Sequence, residues 1–238
     1  MLALGVVASV IGTLLALAVD WFPEQASSQA KEIDDLYDLL LIASVPIFVL
    51  VQAVVLYCVW KFRQRPGDEL KDGPPIHGNT RVEVVWTVLP ALLLFGLCTY
   101  AYIVLEDIER KPSPNEMVVK VTGEQFTWTF EYPAGGQGKA VRSNQLYVPQ
   151  GQPVEFQIRS KDVIHDFWVP QFRMKIDAVP GITTKYRVTP TRAGRYDVVC
   201  AELCGLGHAT MRQTAHVLTR PRFDRWMADQ KAAAARQS

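Results

Sequence analysis

Charged side chains are missing from three long stretches of this 238-residue sequence. Leu2–Val19, Leu39–Trp60 and Val84–Leu105 contain no Asp, Glu, Lys or Arg over 18, 22 and 22 residues. A helix needs about 20 apolar residues to cross a bilayer. The uncharged stretches therefore argue against a purely soluble protein, and their small number argues against a many-pass transporter or channel.

Other absences narrow the class of protein further. Positive charge is not concentrated in any one domain and the formal net charge is only +1, which disfavours a nucleic-acid binder. The sequence has no C-x-x-C-H motif and hence no site for a covalently attached c-type haem. It also has no internal repeat and no low-complexity tract longer than the Ala232–Ala235 run.

The charges between the apolar stretches predict the membrane orientation. Basic residues dominate the segment between the second and third stretches, with Lys61, Arg63, Arg65, Lys71 and Arg81. Acidic residues dominate the segment between the first and second, where a single Lys31 accompanies Asp20, Glu24, Glu32, Asp34 and Asp35. Loops rich in Lys and Arg stay on the cytoplasmic side. We therefore expect a multi-pass protein of a bacterial-type plasma membrane, with the residues after Leu105 on the outer, periplasmic or extracellular face.

The N-terminal half divides into two predicted parts. Residues 1–20 are expected to form a signal peptide with Ala16-Leu17-Ala18 as its cleavage site, or else an extra N-terminal helix. Residues 21–111 are expected to form a transmembrane hairpin with helices at about 37–62 and 84–106.

Residues 112–220 are predicted to form an all-β domain. Short β-prone runs are separated by Pro and Gly turns, namely Glu116–Thr122, Gln125–Tyr132, Val154–Arg159, Val163–Val169, Thr183–Thr189, Gly194–Cys200 and Thr214–Leu218. In the second run, alternation predicts Phe126, Trp128 and Phe130 on one face. Many short strands indicate a sandwich or barrel. Residues 221–238 are predicted to form a C-terminal helix or tail.

Two Cys, two His and one Met form the pattern that carries chemistry. The run VCAELCGLGHATM places four of them within twelve residues, at Cys200, Cys204, His208 and Met211. The two Gly residues in this run favour a loop between strands over a helix. His165 lies 35 residues before Cys200 in a strand-like run, and in a barrel that strand edge can lie beside the loop. These side chains are soft or borderline ligands, which select copper, zinc or iron–sulfur.

The residues alone leave four alternatives open: zinc, a single copper, two bridged coppers and a disulfide. Zinc would be satisfied by two Cys and two His without Met211, so the thioether favours copper. A single blue copper needs one Cys, two His and a weak Met, which leaves the second Cys over unless it bridges another copper. A disulfide between Cys200 and Cys204 would suit an oxidising compartment, but the nearby His208 and Met211 favour a metal site.

The other Cys and His residues are assigned no chemistry. Cys58 and Cys98 lie in apolar stretches, where a free Cys is most often a small hydrophobic residue. His77 in the inner loop and His216 on the last strand are expected to have structural roles.

Taken together, these segments resemble subunit 2 of cytochrome c oxidase, from the haem–copper oxidase superfamily. The motif C-x-E-x-C-G-x-x-H-x-x-M is met by Cys200, Glu202, Cys204, Gly205, His208 and Met211. The runs DVIHDFWVP around His165, MKIDAVPG at Met174–Gly181 and VEVVWTVLP at Val82–Pro90 support the match. The resemblance covers most of the chain. It implies a membrane-anchored α plus all-β fold, in which a transmembrane helical hairpin precedes a cupredoxin-like Greek-key β-barrel.

The resemblance also implies a binuclear, mixed-valence copper centre, called CuA. The family's ligands would be Cys200 and Cys204 bridging both coppers, His165 and Met211 on one copper, and His208 with the backbone carbonyl of Glu202 on the other. In this family the Glu202 carboxylate would also help to bind a Mg or Mn ion at the interface with the catalytic subunit.

By the same resemblance, the chain would be the electron-accepting subunit of a terminal cytochrome c oxidase. It would take electrons from a c-type cytochrome and pass them to the haems of catalytic subunit 1, which reduces oxygen to water with proton pumping. It would assemble with subunit 3 in the lipid bilayer. Glu83 matches the family position at the mouth of a proton-uptake path. A membrane-tethered copper-binding or copper-delivery module and the CuA subunit of a nitric-oxide reductase relative are the alternatives.

One position departs from the family pattern. The family shows Gln-Trp-x-Trp, whose first Trp is implicated in accepting electrons from cytochrome c, but this chain has Phe126 there and keeps only Trp128. A phenyl ring lacks the indole N–H. Residues 112–220 also carry 13 Lys+Arg against 9 Asp+Glu, whereas a basic cytochrome c prefers an acidic docking face. We therefore hypothesise a membrane-bound or tethered cytochrome as donor, with Phe126 and Trp128 in the electron-accepting region.

Overall fold

The computed structural model describes residues 2–67, 73, 75–109, 113–133 and 140–236. Lys71 and the predicted boundary between residues 111 and 112 lie outside these ranges. The chain divides into two compact units. One, the helical unit, contains residues 1–20 and 35–105, and the other, the β unit, contains residues 21–34 and 106–238.

Apolar helices make up the helical unit. Helix α1 spans Leu2–Leu17, α2 spans Ser28–Lys61 and α3 spans Thr80–Ile108. Helices α2 and α3 are long and apolar enough to cross a membrane, with hydropathies of 2.8 and 2.2 over their apolar windows. Those windows are almost entirely exposed, as expected where lipid replaces water as the solvent. Helix α1 has 16 residues, fewer than the roughly 20 that a span requires.

Helices α2 and α3 begin earlier than the uncharged stretches predict. The sequence places them at about 37–62 and 84–106, but both include polar turns before their apolar parts. Ser27 Oγ accepts the Ala30 N–H at 3.1 Å, and Asn79 Oδ1 accepts two N–H groups of the first turn of α3. These caps satisfy N–H groups that have no partner within the helix, so each helix can start among polar residues.

Ten strands form the β unit within its described residues. They are β1 (Met117–Glu124), β2 (Thr127–Tyr132), β3 (Val141–Ser143), β4 (Leu146–Pro149), β5 (Val154–Ser160), β6 (His165–Val169), β7 (Met174–Ala178), β8 (Thr184–Val188), β9 (Gly194–Cys200) and β10 (Arg212–Leu218). One sheet has the order β3-β2-β1-β5-β8 and the other β4-β10-β9-β6-β7. Fully buried aromatic side chains fill the core, including Trp128, Phe130, Phe156 and Phe167. The predicted fold class, membrane-anchoring helices followed by an all-β domain, is confirmed.

The structure corrects one predicted strand and adds three. Gln125 and Phe126 lie in the turn between β1 and β2, so Phe126 is partly exposed and does not share the buried face of Trp128 and Phe130. The Asp162 carboxylate accepts the Gln125 N–H at 2.7 Å, which holds this residue out of the strand ladder. The sequence missed β3, β4 and β7 because two are very short and the third carries charges on its exposed face.

The segment Trp21–Asp34, here called the strap, belongs to the β unit. Its backbone bonds to distant loops: the Ala26 N–H donates to the Gln171 carbonyl at 2.9 Å, and the Ala26 carbonyl accepts the Thr191 N–H at 2.9 Å. Ala26 and Ala30 are completely buried. The sequence assigned these residues to the transmembrane part, 21–111, because nothing local shows that they bond to loops far along the chain.

A largely shielded ion pair holds the strap against the β unit. The Arg173 guanidinium donates two hydrogen bonds to the Asp34 carboxylate, at 2.7 and 2.8 Å. Arg173 also lies over the Phe22 ring, 4.8 Å from its centroid. The side chains of Arg173 and Asp34 are only 5% and 17% exposed, so each charge depends on the other for compensation.

We expect Asp34→Ala to lower the free energy of unfolding of the β unit by about 3 kcal/mol, because it leaves a buried guanidinium without its counter-charge. Chemical unfolding of the full chain in detergent measures the change. Glu24→Ala is the matched control in the same strap. Glu24 pairs with Arg192 at 2.7 Å, but both side chains are at least half exposed, so its loss should cost no more than about 1 kcal/mol. Equal effects of the two substitutions would contradict this role of Asp34.

Helix α4 (Arg220–Arg236) packs on the β unit rather than forming a separate tail. Phe223 is buried, and the Trp226 ring stacks on Tyr147 with centroids 4.2 Å apart. On its other side, Tyr147 stacks on His216 at 4.6 Å. His216 therefore has the packing role that the sequence predicts.

Candidate metal centre

The loop between β9 and β10 carries most of the predicted ligands. Cys200 ends β9, a short 3-10 turn spans His208–Thr210, and Met211 directly precedes β10. The segment is a loop, as the sequence predicts. At Gly205 the backbone has a φ of +131°, which L-residues with a side chain rarely adopt.

Strand β6 brings His165 to this loop. It pairs antiparallel with β9, with Phe167 opposite Cys200. His165 begins β6 and is completely buried. Its Nδ1 lies 3.9 Å from Cys200 Sγ. The ligand atoms of His165, Cys200 and Cys204 all lie within 4.8 Å of one another, so the predicted convergence of strand and loop occurs.

The remaining predicted ligand atoms surround the two sulfurs. The Sγ atoms of Cys200 and Cys204 are 3.8 Å apart, and both residues are free thiols rather than a disulfide. The neighbouring atoms are His208 Nδ1 at 3.7 Å and Met211 Sδ at 3.8 Å from Cys204 Sγ, and the Glu202 carbonyl oxygen at 3.2 Å from Cys200 Sγ. The structure therefore brings together every ligand group that the sequence predicts.

This donor set fits copper. Two thiols, two imidazole nitrogens and a thioether are soft or borderline donors, and Cys200, Cys204 and Met211 are buried. Burial, followed by the neighbouring Cys200, raises the pKa of the Cys204 thiol to about 11. A thiol must lose its proton to bind a metal. A bound cation would supply the charge that stabilises both thiolates.

Asp162 orients the His165 ring. Its Oδ1 lies 2.8 Å from His165 Nε2, and its carboxylate also accepts the N–H groups of Gln125 and Val163 at 2.7 Å. Partial burial raises the pKa of Asp162, but hydrogen bonds from Gln125, His165 and Val163 outweigh this and hold it at about 2. The carboxylate therefore keeps the proton on Nε2 and leaves Nδ1 free to bind a metal. Sequence reasoning missed Asp162, although it lies three residues before His165 in the same run.

The two residues of the predicted electron-accepting region lie in different environments. Trp128 is completely buried, with its ring edge-on to His165 and the centroids 5.9 Å apart. Within the described part of the chain, its Nε1 has no hydrogen-bond partner. Phe126 is 36% exposed at the surface. The phenyl ring is thus partly exposed to solvent, whereas the indole lies between the core and a ligand.

The Phe126 ring packs directly on the ligand loop. A Cβ atom added to Gly207 would lie 2.4 Å from Phe126 Cδ2, and one added to Gly205 would lie 2.7 Å from Gln125 Nε2. Real Cβ contacts are essentially never this short. Glycine is therefore required at both positions for the turn between β1 and β2 to cover the loop.

We expect Gly207→Ala to push Phe126 off the loop and to lower the stability of the metal-free β unit by about 1–3 kcal/mol, the usual cost of overpacking. Thermal unfolding of the full chain, with and without copper, measures the effect. Gly96→Ala in α3 is the control, because a Cβ atom there meets no atom within 4 Å. An unchanged Gly207→Ala protein would show that the turn has room to move.

Glu202 lies near the Asp166 carboxylate, and Asp166 is paired with Asp177 in the β6–β7 ladder. Burial, together with nearby Asp177 and Glu202, raises the pKa of Asp166 to about 6, while Lys175 opposes this rise. Asp166 is buried, and its Oδ1 has no hydrogen-bond partner within the described residues. The Glu202 side chain itself is exposed, so negative charge is available at the surface of the ligand loop.

Glu83 lies apart from the cluster, in the helical unit. It occupies the first turn of α3, where its Oε1 accepts the Asn79 N–H at 3.0 Å. This bond helps to cap the helix. The place of Glu83 on a proton path stays a prediction.

The fold and the cluster together define a class of protein. A β-sandwich that follows two long apolar helices and gathers two Cys, two His and one Met around one point has the donor set of a copper-binding domain. Two family models match the chain: cytochrome C oxidase subunit II, transmembrane domain, over residues 13–104, and cytochrome C oxidase subunit II, periplasmic domain, over residues 135–217. The chain belongs to the cytochrome c oxidase subunit 2 family.

Two relatives named cytochrome c oxidase subunit 2 agree with this assignment. Cytochrome c oxidase subunit 2 of Thermostichus vulcanus is 32% identical, with 98% of this chain and 85% of the relative covered. Cytochrome c oxidase subunit 2 of a Synechocystis strain is 29% identical, with 94% and 82% covered. Among solved structures, the periplasmic domain of cytochrome oxidase subunit II from Bradyrhizobium japonicum is 29% identical, with 51% of this chain and 97% of that domain covered and a TM-score of 0.46.

Proposed function

We propose that this chain is the electron-accepting subunit of a terminal respiratory oxidase. It takes electrons from a c-type cytochrome at a binuclear CuA centre. It passes them to the haems of catalytic subunit 1, where oxygen is reduced to water with proton pumping, and it assembles with that subunit and subunit 3. The observation that carries the proposal is the convergence of His165, Cys200 and Cys204 within 4.8 Å.

The residues that would hold the two coppers are Cys200, Cys204, His165, His208 and Met211, together with the Glu202 carbonyl. Bound there, the metal pair would supply electron transfer with little rearrangement. The strands make the site rigid. The β9–β10 pairing holds both ends of the ligand loop, and the β6–β9 pairing holds the His165 strand beside it. Burial of the two sulfurs keeps water away from them. With protein groups around the whole centre, the site is suited to electron transfer rather than to bond chemistry.

The exposed apolar side chains around the loop support docking of partner proteins. Leu203 is 78% exposed and Leu206 is fully exposed, and both belong to the ligand loop. Ile164 and Phe126 add further exposed apolar surface close to ligands. Grouped apolar residues on a surface mark interaction sites. We propose that this surface meets the catalytic subunit and the cytochrome donor, with Phe126 as a point of contact for the donor and Trp128 behind it.

Two further roles are part of the proposal. Glu202 provides a carboxylate for a Mg or Mn ion shared with the catalytic subunit, and the adjacent Asp166 and Asp177 add the negative charge that a hard cation prefers. Glu83 stands at the mouth of a proton-uptake path. Helices α2 and α3 anchor the chain in a bacterial-type plasma membrane, with the β unit on the outer face.

Electron paramagnetic resonance of the full chain, purified in detergent and loaded with copper, tests the proposal. The expected result is a hyperfine pattern from one unpaired electron shared by two equivalent coppers. A single-copper pattern would overturn the binuclear assignment and favour a membrane-tethered copper-delivery module. The same preparation should consume no oxygen, because the catalytic haems belong to another subunit.

A further inference from the structure

We infer that Gln125 is a positioning residue for the metal centre: it joins the Cys204 loop to the Asp162–His165 pair and so fixes the spacing of the ligands. The inference rests on the proposed copper centre and adds a residue outside its ligand set. Among the described residues, Gln125 makes no hydrogen bond to a ligand side chain, and it acts through two hydrogen bonds made by different parts of the same residue.

The first bond reaches the ligand loop. The Gln125 side-chain amide donates to the backbone carbonyl of Cys204. The contact is close, since a Cβ atom at Gly205 would lie 2.7 Å from Gln125 Nε2. The amide thereby restrains the peptide that follows a bridging thiol. Within the described residues, the Cys204 carbonyl accepts a side-chain hydrogen bond only from Gln125.

The second bond reaches the other ligand segment. The Gln125 backbone N–H donates to Asp162 Oδ2 at 2.7 Å, while Asp162 Oδ1 lies 2.8 Å from His165 Nε2. Cys204 and His165 are far apart in sequence. Their surroundings are connected by the β6–β9 ladder and also by a path of hydrogen bonds through Gln125. The path runs from the Cys204 carbonyl through Gln125 and Asp162 to the imidazole.

Loss of the Gln125 side-chain bond is expected to reduce metal affinity more than the stability of the fold. Gln125 is an exposed turn residue outside the strand ladders, so its amide contributes little to the core. The bond it makes to the loop, however, limits how far the two thiolates can move relative to His165. Loss of such an outer partner typically lowers metal affinity about 10- to 100-fold.

Gln125→Glu tests the inference with almost no change in shape. A carboxylate cannot donate to the Cys204 carbonyl, but the backbone N–H to Asp162 is retained. In the copper-loaded full chain, we expect copper to be lost to an excess of chelator about 10-fold faster than from the wild type. We also expect a shifted visible and near-infrared absorption spectrum, which would report altered copper–sulfur geometry.

Gln150→Glu is the matched control. Gln150 is also exposed, and its amide also donates to a backbone carbonyl, that of Thr191, at 2.8 Å, but this bond is remote from the cluster. The Gln150→Glu protein should have the wild-type absorption spectrum and should lose copper at the wild-type rate. A Gln125→Glu protein that retains copper and absorbs light like the wild type would refute the inference. A clear drop in the unfolding midpoint of the metal-free Gln125→Glu protein would also refute it, because the substitution would then act through the fold. If the wild type itself binds no copper pair, the proposed function fails instead.

Discussion

Replacement of Cys200 or Cys204 by serine is expected to abolish the shared-electron spectrum and to cause the largest loss of copper affinity of any single substitution in this chain. A hydroxyl is a harder donor than a thiolate, and it cannot bridge two coppers with comparable softness. The loss should exceed the roughly 10- to 100-fold that follows removal of an outer partner. Copper content and paramagnetic resonance of the purified full chain measure both effects.

The chain provides its own controls for this substitution. Cys58 and Cys98 are exposed on α2 and α3, within the apolar parts of these helices. Cys58→Ser and Cys98→Ser should leave copper content and spectrum unchanged. Retention of two equivalent coppers in a Cys200→Ser or Cys204→Ser protein would mean that the sulfurs do not bridge, and the binuclear assignment would have to be abandoned.

Asp162→Ala is expected to produce the next largest effect. It removes the acceptor for His165 Nε2 and for two backbone N–H groups at once. The ring is then free to rotate or to exchange tautomers, and copper affinity should fall about 10- to 100-fold. Chelator competition with the full chain measures the change.

Asp162→Asn separates geometry from charge. The amide oxygen can still accept one hydrogen bond in nearly the same position, so this variant should lose less copper than Asp162→Ala. If both variants retained copper like the wild type, Asp162 would have no role in orienting His165. The effect of Asp162→Ala on Gln125 is a second consequence, since the turn between β1 and β2 loses its anchor.

Much of the site could be predicted from the sequence because its ligands are clustered locally. Cys200, Cys204, His208 and Met211 share one short loop, and the Gly residues within it indicate that it is not a helix. His165 required a topological assumption, that its strand lies beside the loop, and the β6–β9 pairing bears this out. Ligand chemistry and spacing were therefore sufficient to predict the ligand residues themselves.

The outer layer was not predictable in the same way. The position of Phe126 depends on Asp162, which removes Gln125 from the strand ladder. The amide of Gln125 meets a carbonyl 79 residues away, and no local pattern signals such a contact. The extra turns of α2 and α3 depend on caps that a search for uncharged stretches overlooks. Each failure concerns a hydrogen bond whose partner is defined only once the chain has folded.

The strap restricts the membrane topology that the chain can adopt. The strap, which ends within the first turns of α2, and the strands after α3 belong to one compact unit, with Ala26 bonded to Gln171 and Thr191 and Asp34 paired with Arg173. Two segments in such contact must occupy the same compartment, so the stretch between them crosses the bilayer an even number of times. A chain that inserted only one of the two helices would place the strap and its bonding partners in different compartments, and these contacts could not form.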